Sequence, residues 1–218
     1  YIRQENKGIL RLSETYNTAL SHCEHPYIAI LEGDDYWYPE KLAKQAHFFI
    51  KNPNVTLQFS LADELYGERV FRTKRTLNRL EKKCMCNQPM GSFISFYMHH
   101  LVYPLTVVIN KNALEQIGGF KQYNSQPAID TSTFLELSLI GPFGYIDESL
   151  GVYRRHAMQV TRTQTKEINV AAFQNFYRFF QKHVKNKDLS VQLGFSDAYF
   201  MAYKNKLIGN ATLTQARV

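Results

Sequence analysis

Three carboxylates lie within four residues of one another, directly after a short apolar stretch. The stretch is residues 27–31, and the carboxylates are Glu32, Asp34 and Asp35. Carboxylates this close repel one another and lose hydration on burial, so they need a cation or water nearby. Such oxygen ligands suit Mg²⁺ or Mn²⁺, and a divalent ion held by few carboxylates usually also binds substrate phosphates. The spacing predicts a metal–diphosphate site, and an acidic turn that caps the next helix is the alternative.

The flanking residues must position these carboxylates, and their pattern is that of a mixed α/β protein. Residues 27–31 are expected to form a buried strand. Strand pairing cannot continue through Pro39, because proline has no backbone N–H to donate. Ligands of open α/β sheets bind outside the carboxyl ends of strands, which is where the acidic run would lie. Apolar spacing predicts helices over 9–23, 39–50, 112–118, 132–139 and 168–184, and strands over 55–61 and 105–109. Residues 143–153 are expected to form a strand pair around an Asp147-Glu148 turn, and the basic segment 69–83 to be irregular or weakly helical.

Composition excludes several other classes of protein. The 218 residues suffice for one α/β domain, and no apolar run is long enough to cross a membrane. The three cysteines, Cys23, Cys84 and Cys86, do not make an even disulfide framework, and no second pair completes a zinc site with the last two. We therefore expect reduced thiols and a cytoplasmic protein. Part of the net charge of +7 lies in residues 69–83, for which a solvated face is favoured over a polyanion-binding surface.

Seven blocks of sequence, in order, resemble the family-2 glycosyltransferases of the GT-A fold. The resemblance covers roughly residues 3–160 and includes the subgroup string Glu-Gly-Asp-Asp-Tyr-Trp. It implies a Rossmann-like mixed sheet flanked by helices over residues 1–160, with the family's first strands expected upstream of residue 1. Residues 161–218 are expected to be a helical extension packed on that domain. The blocks are 6–8, 15–20, 27–37, 39–45, 117–120, Asp130 and 145–156.

This resemblance also implies an activity. Members of the family transfer a sugar, with inversion, from a nucleotide-diphosphate sugar to a hydroxyl of a surface polysaccharide, a lipopolysaccharide or a glycoprotein glycan. The implied cofactor is Mg²⁺ or Mn²⁺, and no nucleic-acid partner is expected. A lipid-linked acceptor and peripheral contact with the inner face of the membrane stay open. A non-catalytic binding module of the same fold is the alternative.

The family's functional residues can be placed on this sequence position by position. Asp130 matches the base that deprotonates the acceptor, and the N-cap of a helix from Thr131 is its alternative role. Asp34, Asp35 and His156 are the implied metal ligands. Tyr36 and Trp37 could form a platform for the acceptor sugar, with core packing as the competing explanation. The implied contacts to the nucleotide sugar are Asn6, Gly8, Asn17, Glu32, Gly33, Asp34, Arg154 and Arg155.

Overall fold

A computed structural model describes residues 2–73, 76–79, 82, 85, 102–123, 128–163, 165–184 and 205. The chain divides into two units that alternate along the sequence. The first consists of residues 1–22, 119–135 and 157–218, and the second of residues 23–118 and 136–156. The predictions made for Cys84, Cys86 and five residues of the basic segment (74, 75, 80, 81 and 83) lie outside the described residues.

The second unit contains a mixed six-stranded sheet. Its strands are ordered β1-β5-β3-β6-β2, and β4 pairs with β3 outside this series. Strands β3 and β6 are parallel, whereas all the other described pairs are antiparallel. The strands are β1 (Tyr27–Ala29), β2 (Tyr36–Trp37), β3 (Leu57–Tyr66), β4 (Arg69–Phe71), β5 (Val108–Asn110) and β6 (Phe143–Arg155).

Strand β3 forms the centre of this sheet. It begins two residues later than predicted and extends five residues further, because β6 pairs with it along nearly its whole length. The expected alternation of apolar and polar residues is present, but both faces are buried: Phe59 and Ser60 are each inaccessible to solvent. A strand covered on both faces needs no solvated side, so its polar residues must find partners inside the protein.

Strand β6 is one continuous strand, so the predicted strand pair around an Asp147-Glu148 turn is wrong. Ile146 pairs with Ser60 and Ser149 pairs with Leu61, so the two acidic residues form a bulge. A bulge inserts extra residues into one strand without reversing its direction. The parallel ladder then continues to Arg155, which carries the end of β6 to the edge where the acidic run lies.

Strand β4 corrects a second prediction. Residues 69–71 were expected to be irregular or weakly helical, but they pair with the end of β3 in an antiparallel hairpin. The hairpin turns at Gly67, whose φ of 59° lies in the left-handed region that favours glycine. Arg69 lies in this strand and Arg72 follows it, whereas Arg79 and Lys82 of the same segment have helical backbone, as predicted.

Two helices of the second unit lie close to their predicted positions. Helix α2 (Lys41–Lys51) buries Phe49 in a cluster with Val55 and Val108. Helix α3 (Lys111–Gln116) begins where the Asn110 side chain accepts a hydrogen bond from the backbone of Ala113. The strand predicted over 105–109 is shorter, because residues 104–106 form a 3₁₀ turn before β5.

The described elements of the first unit are helical. They include α1 (Leu12–Ser21), the residues of α4 (Ile129–Ile140) up to Leu135, α5 (Val160–Thr163) and α6 (Thr165–Phe179). A 3₁₀ turn precedes α1, and a π-helix, Phe180–Val184, follows α6. The apolar spacing predicted over 168–184 is present, since Phe173 and Phe176 of α6 and Phe180 of the π-helix are buried. None of the helices described here has the length and apolar character needed to cross a membrane.

Candidate active site

The acidic run lies beside the end of β6 because of the way that β2 pairs. Tyr36 of β2 is paired with Val152 of β6, and Trp37 with Gly151. Asp35 directly precedes β2, so the antiparallel register places it opposite the residues that follow Val152. A turn closed by a hydrogen bond from the Asp35 backbone N–H to the Glu32 carbonyl, at 3.2 Å, holds the loop in place. Gly33 is exposed in this turn.

Two of the predicted metal ligands, Asp34 and His156, are in contact. The Nε2 atom of His156 lies 3.0 Å from the Oδ2 atom of Asp34. Both side chains are about 40% exposed, at 39% and 41%. A carboxylate and an imidazole at this distance can hydrogen-bond to each other or share a bound cation, because both offer lone pairs when the imidazole is neutral.

Asp35 faces the protein interior. Its Oδ1 atom accepts a hydrogen bond of 2.8 Å from the backbone N–H of Arg154, so it connects the acidic turn to the end of β6. Its Oδ2 atom is buried and has no hydrogen-bond partner among the described residues. Burial raises the pKa of Asp35 to about 6, against the opposing effect of the Arg154 N–H. A buried carboxylate oxygen without a partner is costly unless a cation or a water satisfies it.

These donors fit a divalent cation that is held by few protein ligands. Within the described part of the chain, no group of three or more histidine, cysteine or acidic side chains forms a metal cage. Asp34 and His156 together supply one oxygen and one nitrogen. Asp35, the next residue after Asp34, is bonded to the backbone of Arg154. Mg²⁺ and similar ions commonly keep several positions for water and substrate phosphates, which two protein ligands would leave available.

The two arginines at the end of β6 have different environments. Arg154 is exposed, and its Nε–H donates to the backbone carbonyl of Asp34 at 2.8 Å. A guanidinium held next to the acidic turn could donate hydrogen bonds to a diphosphate bound there. Arg154 therefore combines a contact that supports the turn with an accessible positive charge.

Arg155 is instead engaged inside the sheet. It donates to Glu64 at 2.6 Å, and its guanidinium lies 4.6 Å from the centre of the Tyr153 ring. Glu64 also accepts hydrogen bonds from the hydroxyls of Tyr66 and Tyr103. Burial raises the pKa of Glu64, but these donors, Arg155 first among them, outweigh it and hold the pKa below its usual range. Arg155, which was predicted to contact the diphosphate, is therefore paired with the Glu64 carboxylate.

Trp37 is fixed by two polar contacts. Its indole N–H donates to the Leu105 carbonyl at 2.8 Å, and the Lys41 ammonium lies 4.3 Å from the ring centre. Lys41 is fully buried and donates to Gln45 at 2.6 Å. Burial lowers the pKa of Lys41 to about 7. One face of the indole is therefore occupied by the protein, and Tyr36, paired against Val152, lies next to it on β2.

The remaining predicted donor contacts belong to the first unit. Asn17 donates to the Phe120 carbonyl at 3.0 Å and accepts from the Phe120 N–H at 2.8 Å. These two bonds hold the turn at Gly119, whose φ is 83°. Asn6 accepts from the N–H of Gly8, which also has a positive φ, of 71°. Each asparagine thus shapes a glycine-containing turn.

Asp130 is the second residue of α4, so the helix begins before it and the predicted start at Thr131 is wrong. Its carboxylate is partly exposed and accepts a hydrogen bond from the Thr131 N–H at 2.8 Å. An acidic residue in the first turn is favourable because the helix dipole is positive there. A partly exposed carboxylate in this position is available to accept a proton from a bound hydroxyl.

Three residues with clear contacts were not singled out by the sequence. Glu64 lies in an apolar strand, Lys41 sits in a helix among other lysines, and Asn175 is one of several polar residues of α6. The only signal for Glu64 is that the pair Asp63-Glu64 interrupts the alternation of apolar and polar residues. Lys41 and Asn175 could not have been distinguished from their exposed neighbours, because their burial depends on distant elements.

The geometry can be compared with known proteins. The model of the family described as glycosyl transferase family 2 matches residues 1–118, more than half of the chain. No curated protein sequence gives a significant match. Two solved structures share the fold. One is a mannosyltransferase, PcManGT, from Pyrobaculum calidifontis in complex with GDP-Man and Mn²⁺, at a TM-score of 0.60 and 13% identity. The other is residues 1–349 of TarS from S. aureus in complex with UDP, at a TM-score of 0.52 and 12% identity.

Each match includes nearly all of this chain but only about half of the solved chain. The mannosyltransferase match covers 99% of this chain and 55% of the solved chain, and the TarS match covers 94% and 52%. This chain therefore spans about half the length of those structures. Their shared architecture confirms the predicted GT-A mixed sheet with flanking helices.

Proposed function

The chain belongs to glycosyl transferase family 2, and from that premise we propose that it is a metal-dependent, inverting glycosyltransferase. The observation that carries the proposal is the approach of His156 Nε2 to Asp34 Oδ2, at 3.0 Å, beside an exposed arginine. The donor is a nucleotide-diphosphate sugar and the acceptor is a hydroxyl group. The complexes of the two solved structures, one with UDP and one with GDP-Man and Mn²⁺, support this class of donor.

The donor end of the reaction uses residues of the acidic turn and of β6. Asp34 and His156 would hold Mg²⁺ or Mn²⁺, and Asp35 would support them from behind or bind through a water. When bound, the cation neutralises charge on the diphosphate as the glycosyl bond breaks. Arg154 donates hydrogen bonds to the same phosphates, since its guanidinium is accessible. Glu32 contacts the ribose or a water, and Gly33 leaves the backbone open to the donor.

Arg155, Asn6, Gly8 and Asn17 support this donor site through the backbone they hold. Arg155, the last residue of β6, is paired with Glu64 and so fixes the end of the strand that precedes His156. Asn17 fixes the Phe120 turn, and Asn6 fixes the turn at Gly8. The exposed surfaces of these residues would also contact the nucleotide sugar directly.

At the acceptor end, Asp130 acts as the general base. The acceptor oxygen forms a bond to the anomeric carbon while the bond from that carbon to the diphosphate oxygen breaks. The acceptor proton passes to the Asp130 carboxylate, and the nucleoside diphosphate leaves. Attack from the face opposite the leaving group inverts the anomeric centre. Tyr36 and the free surface of Trp37 would contact the acceptor sugar of a polysaccharide, a lipopolysaccharide or a glycoprotein glycan, with peripheral membrane contact where the acceptor is lipid-linked.

Thermal unfolding of the whole protein tests this proposal. UDP, GDP and dTDP are added in turn, each with Mn²⁺ or with EDTA. A ligand at a hundred times its dissociation constant adds about 2.7 kcal/mol, which raises the melting temperature of a domain this size by roughly 5–10 °C. We expect one nucleotide to give a shift that requires the metal. Asp34→Ala should abolish it, whereas Glu24→Ala, which removes an exposed carboxylate outside the acidic turn, should not.

A well-folded protein that shows no shift with any nucleotide would contradict the proposal. The non-catalytic binding module would then be the better explanation, because the fold would be present without its donor site. A shift that survives in Asp34→Ala would place the nucleotide away from the acidic turn.

A further inference from the structure

The start of α4 contains three consecutive residues with hydroxyl side chains. Asp130 is followed by Thr131, Ser132 and Thr133, and all three are buried, with at most 2% of their surface exposed. Helix interiors normally disfavour such residues, because their hydroxyls compete for backbone hydrogen bonds. Their burial next to the proposed base calls for a structural explanation.

Two of these hydroxyls bond back to the carbonyls that flank the start of the helix. Ser132 Oγ donates to the Ala128 carbonyl at 2.9 Å, and Thr133 Oγ1 donates to the Ile129 carbonyl at 2.7 Å. The backbone on the N-terminal side of Asp130 is thus held by two side chains from the next turn.

Each of these hydroxyls also accepts a hydrogen bond from outside the helix. The Lys121 backbone N–H donates to Thr133 Oγ1 at 2.9 Å. The Asn175 side chain, 43 residues further along the chain on α6, donates from Nδ2 to Ser132 Oγ at 2.9 Å. A chain of hydrogen bonds therefore runs from Asn175 through Ser132 to the Ala128 carbonyl, two residues before Asp130.

The carbonyl oxygen of the Asn175 amide accepts no hydrogen bond from a described residue. Asn175 is 3% exposed, and its Oδ1 atom is buried without a hydrogen-bond partner among the described residues. A buried acceptor without a partner costs free energy that offsets what the bond to Ser132 contributes, so an apolar side chain of similar volume should replace Asn175 at little loss of stability. Packing alone thus gives no reason for an amide at this position, whereas the bond to Ser132 does.

We propose that Asn175 is a positioning residue that holds the Asp130 carboxylate in place through Ser132. The inference rests on the proposed function, in which Asp130 is the general base. A base must lie within hydrogen-bond reach of the proton that it takes, and a misplacement of about 1 Å can cost about a hundredfold in rate. Through Asn175, helix α6 takes part in the reaction although it lies outside the residues matched by the family model.

Hydrolysis of UDP-N-acetylglucosamine or GDP-mannose by the whole protein tests the inference, with water as the acceptor and release of UDP or GDP as the readout. In Asn175→Leu we expect kcat to fall by about tenfold or more, with the KM for the nucleotide sugar unchanged. The melting temperature and its metal-dependent shift with nucleotide should stay as in the wild type. Asn169→Leu, the same change at a less buried position of the same helix, should leave kcat unchanged.

The partner residue supplies a second measurement. In a Ser132→Ala background, Asn175→Leu should have no further effect on kcat, because its only route to Asp130 has been removed. Additive losses would show that Asn175 acts by another route and would overturn the inference. So would an unchanged kcat in Asn175→Leu, or a rise in KM alone.

The failure of the inference differs from the failure of the proposed function. A wild-type protein that turns over while Asn175→Leu matches it would remove only the role of Asn175. A wild-type protein that turns over while Asp130→Asn keeps the same kcat overturns the assignment of Asp130 as base and the inference with it.

Discussion

The Nε2 atom of His156 lies 3.0 Å from the Oδ2 atom of Asp34, although 122 positions separate the two residues in the chain. The pairing of β2 with β6 brings them together, since each lies within a few residues of that antiparallel ladder. This arrangement places an imidazole and a carboxylate where one cation could bind both.

The first prediction concerns His156. In His156→Ala, the Mn²⁺ concentration that gives half of the nucleotide-dependent rise in melting temperature should increase by about tenfold or more, because one of the two proposed metal ligands is lost. His25→Ala, which removes an exposed imidazole of the same unit, is the control. An unchanged Mn²⁺ requirement would show that His156 bonds to Asp34 without binding the metal.

The two neighbouring arginines should behave differently. Arg155→Ala should lower the free energy of unfolding by about 1–3 kcal/mol, because Glu64 loses a charged hydrogen-bond partner in a half-buried site. Arg154→Ala should change stability by less than about 1 kcal/mol but weaken nucleotide binding, since its guanidinium is exposed beside the acidic turn. Denaturant unfolding and nucleotide titration measure the two effects. Equal losses of stability would contradict the assignment of separate roles.

Lys41 should make stability depend on pH. Its folded-state pKa of about 7 is far below its ordinary value of 10.5, so between these values the unfolded chain binds more protons than the folded one. The free energy of unfolding should therefore rise with pH across this window, by up to about 1.4 kcal/mol per unit. Below pH 7 both states hold the proton and the full cost of burying the charge is present.

The comparison that isolates this effect is with Lys41→Met. The stability of the wild type relative to this variant, followed by denaturant unfolding, should increase from pH 7 to pH 10. Lys51→Met, which changes an exposed lysine at the end of the same helix, should run parallel to the wild type. Parallel profiles for Lys41→Met would show that Lys41 keeps its charge when buried.

Gly119 should tolerate no side chain. A Cβ atom there would lie 2.3 Å from the Asn17 Oδ1 atom, and the φ of 83° is strained for any L residue. We expect Gly119→Ala to lower the free energy of unfolding by about 1–3 kcal/mol. Gly33→Ala is the matched control, because a Cβ atom at that position has nothing within 4 Å. Similar melting temperatures for the two variants would argue against the Asn17–Phe120 contact.

The elements that were predicted well are those whose signal is local. The apolar residues of α2 and α6 recur at helical spacing, and both helices lie close to the predicted bounds. Strand β6 was predicted wrongly because Asp147-Glu148 resembles a turn when only neighbouring residues are considered. Its pairing with β3, whose paired residues lie 86 to 89 positions earlier, keeps the chain extended through the bulge.

The sequence by itself determined which chemistry is possible: an acidic run after an apolar strand, a Tyr-Arg-Arg-His segment, an aspartate at a helix start, and the family to which they belong. Only the tertiary structure decided how adjacent residues divide their roles. Asp34 meets His156, whereas Asp35 binds the backbone of Arg154, and Arg155 turns to Glu64. Arg154 and Arg155 are successive residues of a strand, so their side chains point in opposite directions and face different partners. Strand register selects those partners, and register is a property of residues far apart in the chain.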